Sequence, residues 1–188
     1  EQIFSGPEKT EILLGSGKSF YEIAKQYILA GIEHILIGYD HLLFVLCLIL
    51  ISRNIRALIF AVTGFTIAHS ITLSLATMNL IKVRTELVEL LIALSIIILA
   101  REILFARKNE LEPPLSIKFP ISISAFFGLL HGFGFAVVLQ ELGLPFDMKI
   151  NALLFFNIGV EIGQLIFIGI VLLIAIFLRS NPLFSNHY

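Results

Sequence analysis

The sequence is poor in charge, with 14% of its 188 residues being Asp, Glu, Lys or Arg, where soluble domains carry about 25%. So little charge, with 57% hydrophobic residues and a mean hydropathy of +0.96, excludes an ordinary water-soluble globule. It is equally poor in cysteine. Cys47 is the only one, so there is no disulfide framework and no Cys-x-x-Cys redox or metal motif. Nor is there an excess of basic residues: a net charge of −1 and a pI near 6.6 argue against nucleic acid as a partner. The chain opens on Glu1 without a methionine or a basic-then-apolar stretch, which reads as a processed or trimmed chain. The string GSGKS (15–19) lacks the glycine a phosphate loop needs five residues before Gly17, where Ile12 stands.

What is abundant is apolar sequence. Crossing the roughly 30 Å of bilayer hydrocarbon takes about 20 apolar residues, and five windows qualify: 27–51, 57–79, 86–105, 118–139 and 150–178. The expected fold is all-α: a polytopic transmembrane bundle of about five spans, with the lipid bilayer as its first partner. Residues 1–26 form a polar N-terminal tail and an interfacial lead-in helix, 27–179 the bundle and 180–188 a short C-terminal tail. Five spans put the termini on opposite sides. Connector charges (Arg53, Arg56, Arg107, Lys108 and Lys118 against Lys82, Arg84 and Lys149) favour the N-terminus outside and the C-terminus in the cytoplasm. Rows of small residues (Ser124, Gly128, Gly132; Gly159, Gly163) predict close helix packing, within the chain or in a homo-oligomer or larger membrane complex.

Against this apolar background stand His34, Asp40, His41, His69, His131 and Glu161. An ionisable group at mid-membrane costs about 2.5–3.5 kcal/mol on insertion scales, so six of them need mutual partners. Seven residues separate His34 from His41, two turns on one helix face, with Gly31 and Gly38 on the same side. Counted from the proposed outer surface, His34, His69, His131 and Glu161 lie about 7, 10, 8 and 11 residues deep, with Asp40 and His41 a turn further. Four helices can therefore meet in one layer.

Imidazoles and carboxylates without thiolate suit a divalent transition metal such as Ni²⁺, Co²⁺ or Zn²⁺. The candidate ligands are three or four of the histidines with Asp40 or Glu161. Thr66, Ser70, Asn157 and Gln164 would orient the imidazole N–H groups. Glu86 and Glu89 open the third span near the outer surface and could form a vestibule, or simply a solvated helix start. The phenylalanines read as packing mass and lipid-facing surface, and Cys47 as a core thiol.

The strings GIEHILIGYDHLLF (31–44), FTIAHSITL (65–73), ELVELLIALSI (86–96), FGLLHGFGFA (127–136) and FNIGVEIGQL (156–165) together resemble the HupE/UreJ family of bacterial membrane proteins, from about Phe20 to Leu178. The resemblance implies a polytopic inner-membrane protein linked to nickel or cobalt uptake, often for hydrogenase or urease. It places the family's histidine and acidic positions on His34, Asp40, His41, His69, His131 and Glu161. Members usually have more than five spans, and commonly a signal peptide.

Three functions fit these residues. A permease or binding protein would pass a divalent metal through the site. An intramembrane metal-dependent hydrolase would hold Zn²⁺ on three histidines, with Asp40 or Glu161 as general base against a lipid or lipid-linked substrate. A structural or assembly subunit would use the histidines to bind a cofactor or cement helices. Inward of the site the runs LLFVLCLILI (42–51) and LIFIGIVLLIAIFL (165–178) are apolar and only Thr63, Thr66, Ser122 and Ser124 could line an inner route, which leans against an obvious channel.

Overall fold

A computed structural model describes residues 19–106, 113–136, 139 and 148–180. Residues 1–18 and 181–188, most of the expected tails, lie outside the described residues. Among those described there are seven helices and no strand: α1 Phe20–Ile37, α2 Tyr39–Ile51, α3 Ile55–Thr77, α4 Thr85–Ala106, α5 Leu115–Lys118, α6 Pro120–Gly134 and α7 Lys149–Ser180.

Local chemistry sets several of the boundaries. The Ser19 hydroxyl accepts the Glu22 N–H at 3.3 Å, and the Glu22 carboxylate accepts the Ser19 N–H at 2.8 Å. This reciprocal cap starts α1 at Phe20. The expected lead-in and the start of the first span are thus one helix. Asn54 caps α3 by accepting the Ala57 N–H at 2.8 Å. Pro120 occupies the first turn of α6, where a missing N–H costs nothing.

The expected windows do not all survive as unbroken helices. The first breaks at Gly38, whose extended backbone (φ −73°, ψ 99°) separates α1 from α2 at a 74° bend. The fourth begins on the last residue of the single turn α5 and, after Phe119, forms the 15-residue α6. Among the described residues two helices, α3 and α7, are long and apolar enough to cross a membrane alone, and the bent pair α1–α2 makes a third if it counts as one span. The third window persists as α4, but Glu86, Glu89, Arg101 and Glu102 crowd its ends. Charge at the ends and glycine in the middle are what an average over a window conceals.

Two close crossings organise the bundle. A methyl group on Gly31 of α1 would overlap the Phe156 carbonyl oxygen of α7, and one on Gly159 would overlap the Ile28 carbonyl oxygen. A methyl on Gly128 of α6 would likewise overlap the Phe65 carbonyl oxygen of α3, and one on Gly132 the His69 carbonyl oxygen. Further along, Gly163 of α7 packs against Ile32 and Ile35 of α1, so in both pairs rising number meets rising number: α1 runs parallel to α7 and α6 parallel to α3. Such backbone contact is how helices associate in lipid, where apolar burial supplies little force. The outer surface is correspondingly apolar, with Leu90, Ile97, Phe126, Leu173 and Phe177 exposed. The chain is a helical membrane protein.

Inside lie two apolar clusters. One is built on Phe44, Leu48, Leu58, Val62, Phe65 and Phe127; the other on Tyr27, Ile35, Leu73, Leu153, Phe156 and Val160. The histidines sit where the two meet.

Candidate metal centre

The Gly38 break brings the end of α1 and the start of α2 to the same place. His34 and His41 face each other with ring centroids 4.5 Å apart. From α3, His69 lies 6.1 Å from each of those rings, and from α6, His131 lies 5.2 Å from His41. His41, His69 and His131 are buried, and His34 is half-buried. Aromatic rings wall the cluster: Phe44 and Phe65 lie against His131, Phe65 stacks with His69, and Phe135 and Phe156 cover His34. Part of the phenylalanine content is therefore site wall, not lipid-facing surface.

Hydrogen bonding decides which nitrogens are available. Asp40 Oδ1 lies 3.1 Å from His41 Nδ1, so a neutral His41 donates Nδ1–H to the carboxylate and leaves the Nε2 lone pair bare. The Ser95 hydroxyl donates to the Ile92 carbonyl at 2.6 Å, which uses its only proton. At 3.2 Å from His131 Nε2 it must then accept, so the proton of His131 is on Nε2 and the lone pair on Nδ1. His41 Nε2 and His131 Nδ1 are both buried without a hydrogen-bond partner, as are His34 Nε2 and both nitrogens of His69. Leaving one buried polar atom unsatisfied costs about 1–3 kcal/mol, so five in one cluster form a strongly ligand-seeking surface. Ligand atoms of Asp40, His41 and His131 all lie within 4.8 Å of one another. A transition metal held at roughly 2.1 Å from each nitrogen would require side-chain shifts on the order of an ångström to close on them.

The other expected residues are placed differently. Glu161 on α7 receives one hydrogen bond from Thr63 at 2.6 Å and another from Thr66, whose hydroxyl is also 2.9 Å from Gln164 Oε1. Both carboxylate oxygens thus face threonines of α3. Ser70 donates to the Thr66 carbonyl and Asn157 to the Leu153 carbonyl. The imidazoles of His41 and His131 donate instead to Asp40 and Ser95. Glu86 and Glu89 are exposed, and Glu86 lies 3.9 Å from Arg84 at the start of α4, the geometry of a solvated helix end.

Ser95 is the functional contact that sequence reasoning missed. It is buried on the α4 stripe with Val88, Ile92 and Leu99, and its signal was a lone hydroxyl on the inward stripe of an otherwise apolar span.

The family model described as HupE / UreJ protein matches residues 10–188. The chain belongs to the HupE/UreJ family. No curated protein and no solved structure matches it. Membership in HupE/UreJ and a His/Asp group inside a helical membrane bundle are together consistent with a metal transport or accessory role. The HupE/UreJ match takes in every helix described above.

Proposed function

We propose that the protein is a permease, or a membrane binding protein, for a divalent transition metal, with Ni²⁺ or Co²⁺ the favoured cargo. It would lie in the bacterial inner membrane with its N-terminus outside and C-terminus in the cytoplasm. The observation that carries this reading is the pair of bare lone pairs, His41 Nε2 and His131 Nδ1, on rings 5.2 Å apart, each fixed by a hydrogen bond on the other side of its ring. A carboxylate behind one imidazole and a hydroxyl behind the other is the supporting arrangement that metal-ligating histidines use. His34 and His69 supply further nitrogens to replace the hydration shell, and Asp40 supplies negative charge. Glu161 stands outside this group as its hydrogen bonds run.

The metal content of the purified protein, loaded with Ni²⁺, Co²⁺ or Zn²⁺ and measured by mass spectrometry, tests the reading. About one bound ion, lost in both His41→Ala and His131→Ala, is expected. Uptake of the same ion into sealed vesicles then separates a permease from the zinc-dependent hydrolase that the same residues could also serve. Retention without uptake would overturn the permease reading.

A further inference from the structure

The two glycine crossings are related. Gly31 precedes His34 in a Gly-x-x-His unit on α1, and Gly128 precedes His131 in the same unit on α6. Each of these glycines meets the carbonyl of a phenylalanine on its partner helix, Phe156 or Phe65. The two phenylalanines open matching stretches, FTIAHSI (65–71) and FNIGVEI (156–162), that share Phe, both Ile positions and a small residue. The rings repeat the relation: Phe65 lies 5.1 Å from His131, and Phe156 lies 5.5 Å from His34. Hence α1 with α3 in the first half of the chain corresponds to α6 with α7 in the second.

The halves are inverted. Thr63 and Thr66 of α3 meet Glu161 and Gln164 of α7, whereas Ser70 and Ser74 meet Asn157 and Leu153. Rising number on one helix meets falling number on the other, so α3 and α7 are antiparallel. Since α1 parallels α7 and α6 parallels α3, the corresponding helices of the two halves point in opposite directions. His41, 4.5 Å from His34 and 5.2 Å from its counterpart His131, lies close to the axis relating them. Inverted halves with the binding site at their interface are the architecture on which many secondary transporters alternate access.

The two ends of the α3·α7 seam differ. At one end, a cavity of about 200 Å³ opens between the helices, lined by Ser70, Ser74, Leu153, Leu154 and Asn157 among others. The repeat carries Ser70 onto Glu161, Asn157 onto Thr66, Leu153 onto Val62 and Leu154 onto Thr63. At that other end the seam is bridged by the bonds from Thr63 and Thr66 to Glu161. One fold therefore holds the same seam open at one end and zipped at the other.

We infer that the protein alternates access by exchanging the conformations of its two inverted halves. The Ser70 end is open in the present conformation, and the Glu161 end is the closed gate that opens when the Ser70 end shuts. This deepens the permease reading, on which it rests: the apolar runs inward of the histidines need no standing channel if a gate opens there in turn. Asymmetry between the halves gives the gate its chemistry, because the position held by Ser70 in one is held by Glu161 in the other.

Repeat-related cysteines test it. In full-length protein in liposomes, with Cys47→Ser as background, Leu153→Cys at the open end should react with a water-soluble maleimide while its counterpart Val62→Cys is protected. Removing one gate hydroxyl with Thr63→Val should raise Val62→Cys labelling on the order of tenfold, the factor that one lost hydrogen bond to a charged group produces. Leu153→Cys labelling should fall at the same time, and Thr63→Ser should restore the original pattern. Labelling that changes with the same sign at both ends, or a Thr63→Ser that behaves like Thr63→Val, overturns the inference, the latter marking a folding defect. Nickel binding by the same samples is read separately. Reciprocal labelling without bound metal would retain the alternating halves and sink the metal reading; bound metal without reciprocity would do the reverse.

Discussion

The Ser95 hydroxyl, on a helix otherwise without a polar residue in its buried stripe, accepts a hydrogen bond from His131 across 3.2 Å and so leaves the lone pair of that imidazole on the buried Nδ1. Ser95 is a positioning residue: it touches no ion, but it chooses which nitrogen faces one. Ser95→Ala should weaken metal binding by roughly 10–100-fold, the usual effect of losing such a supporting contact. The serine leaves a small void, so thermal unfolding should move little. Titration calorimetry beside a melting curve checks both, and unchanged affinity would remove Ser95 from the site.

Asp40 holds His41 in the same way but also contributes charge. Asp40→Asn keeps an oxygen able to accept the His41 Nδ1–H while removing the negative charge, whereas Asp40→Ala removes both. Affinity should fall in two steps, Ala below Asn, with Asn losing on the order of tenfold. Equal losses would mean that charge, rather than ring orientation, is what Asp40 supplies.

The glycine crossings make a prediction about stability with a built-in control. Gly31→Ala and Gly128→Ala place a methyl against a backbone carbonyl and should each destabilise by about 1–3 kcal/mol, the cost of overpacking a tight interface. Gly169 has nothing within 4 Å of the place a methyl would occupy. Gly169→Ala should therefore be neutral, or stabilise by roughly 0.5–1 kcal/mol through helix propensity. Unfolding in detergent, followed by circular dichroism, reads all three.

Protons and metal compete for the same imidazole lone pairs, so binding should strengthen as pH rises and weaken as it falls. Binding isotherms at pH 5 and pH 7.5 test the sign. Affinity higher at pH 5 than at pH 7.5 would mean that the histidines are not ligands.

Much of this was legible in the sequence because lipid makes polar residues conspicuous. His34, His41, His69 and His131 stood out against apolar runs, and the fold brings their rings together. Gly38 was visible as a small residue on the histidine face, but a hydropathy window averages over one backbone break and read 27–51 as a single span. Glu161 shares the depth of the histidines, yet depth does not fix azimuth. Its helix presents it to Thr63 and Thr66, a pairing that follows only from the antiparallel α3·α7 contact. Ser95 was obscured because one hydroxyl in a span costs little in any transfer scale. The inverted halves are not legible in the sequence because their shared signal is a handful of positions on helices far apart in the chain.

Helix α7 has 32 residues, or about 48 Å at 1.5 Å per residue, against hydrocarbon about 30 Å thick. Its later turns, with Leu173, Ile176 and Phe177 exposed, carry apolar surface well past the seam it shares with α3. A helix so oversized must lean or draw lipid up around itself, each at a modest cost per ångström of mismatch. Acyl-chain length thus becomes a lever on the tilt of α7, and through α7 on the seam where Glu161 meets Thr63.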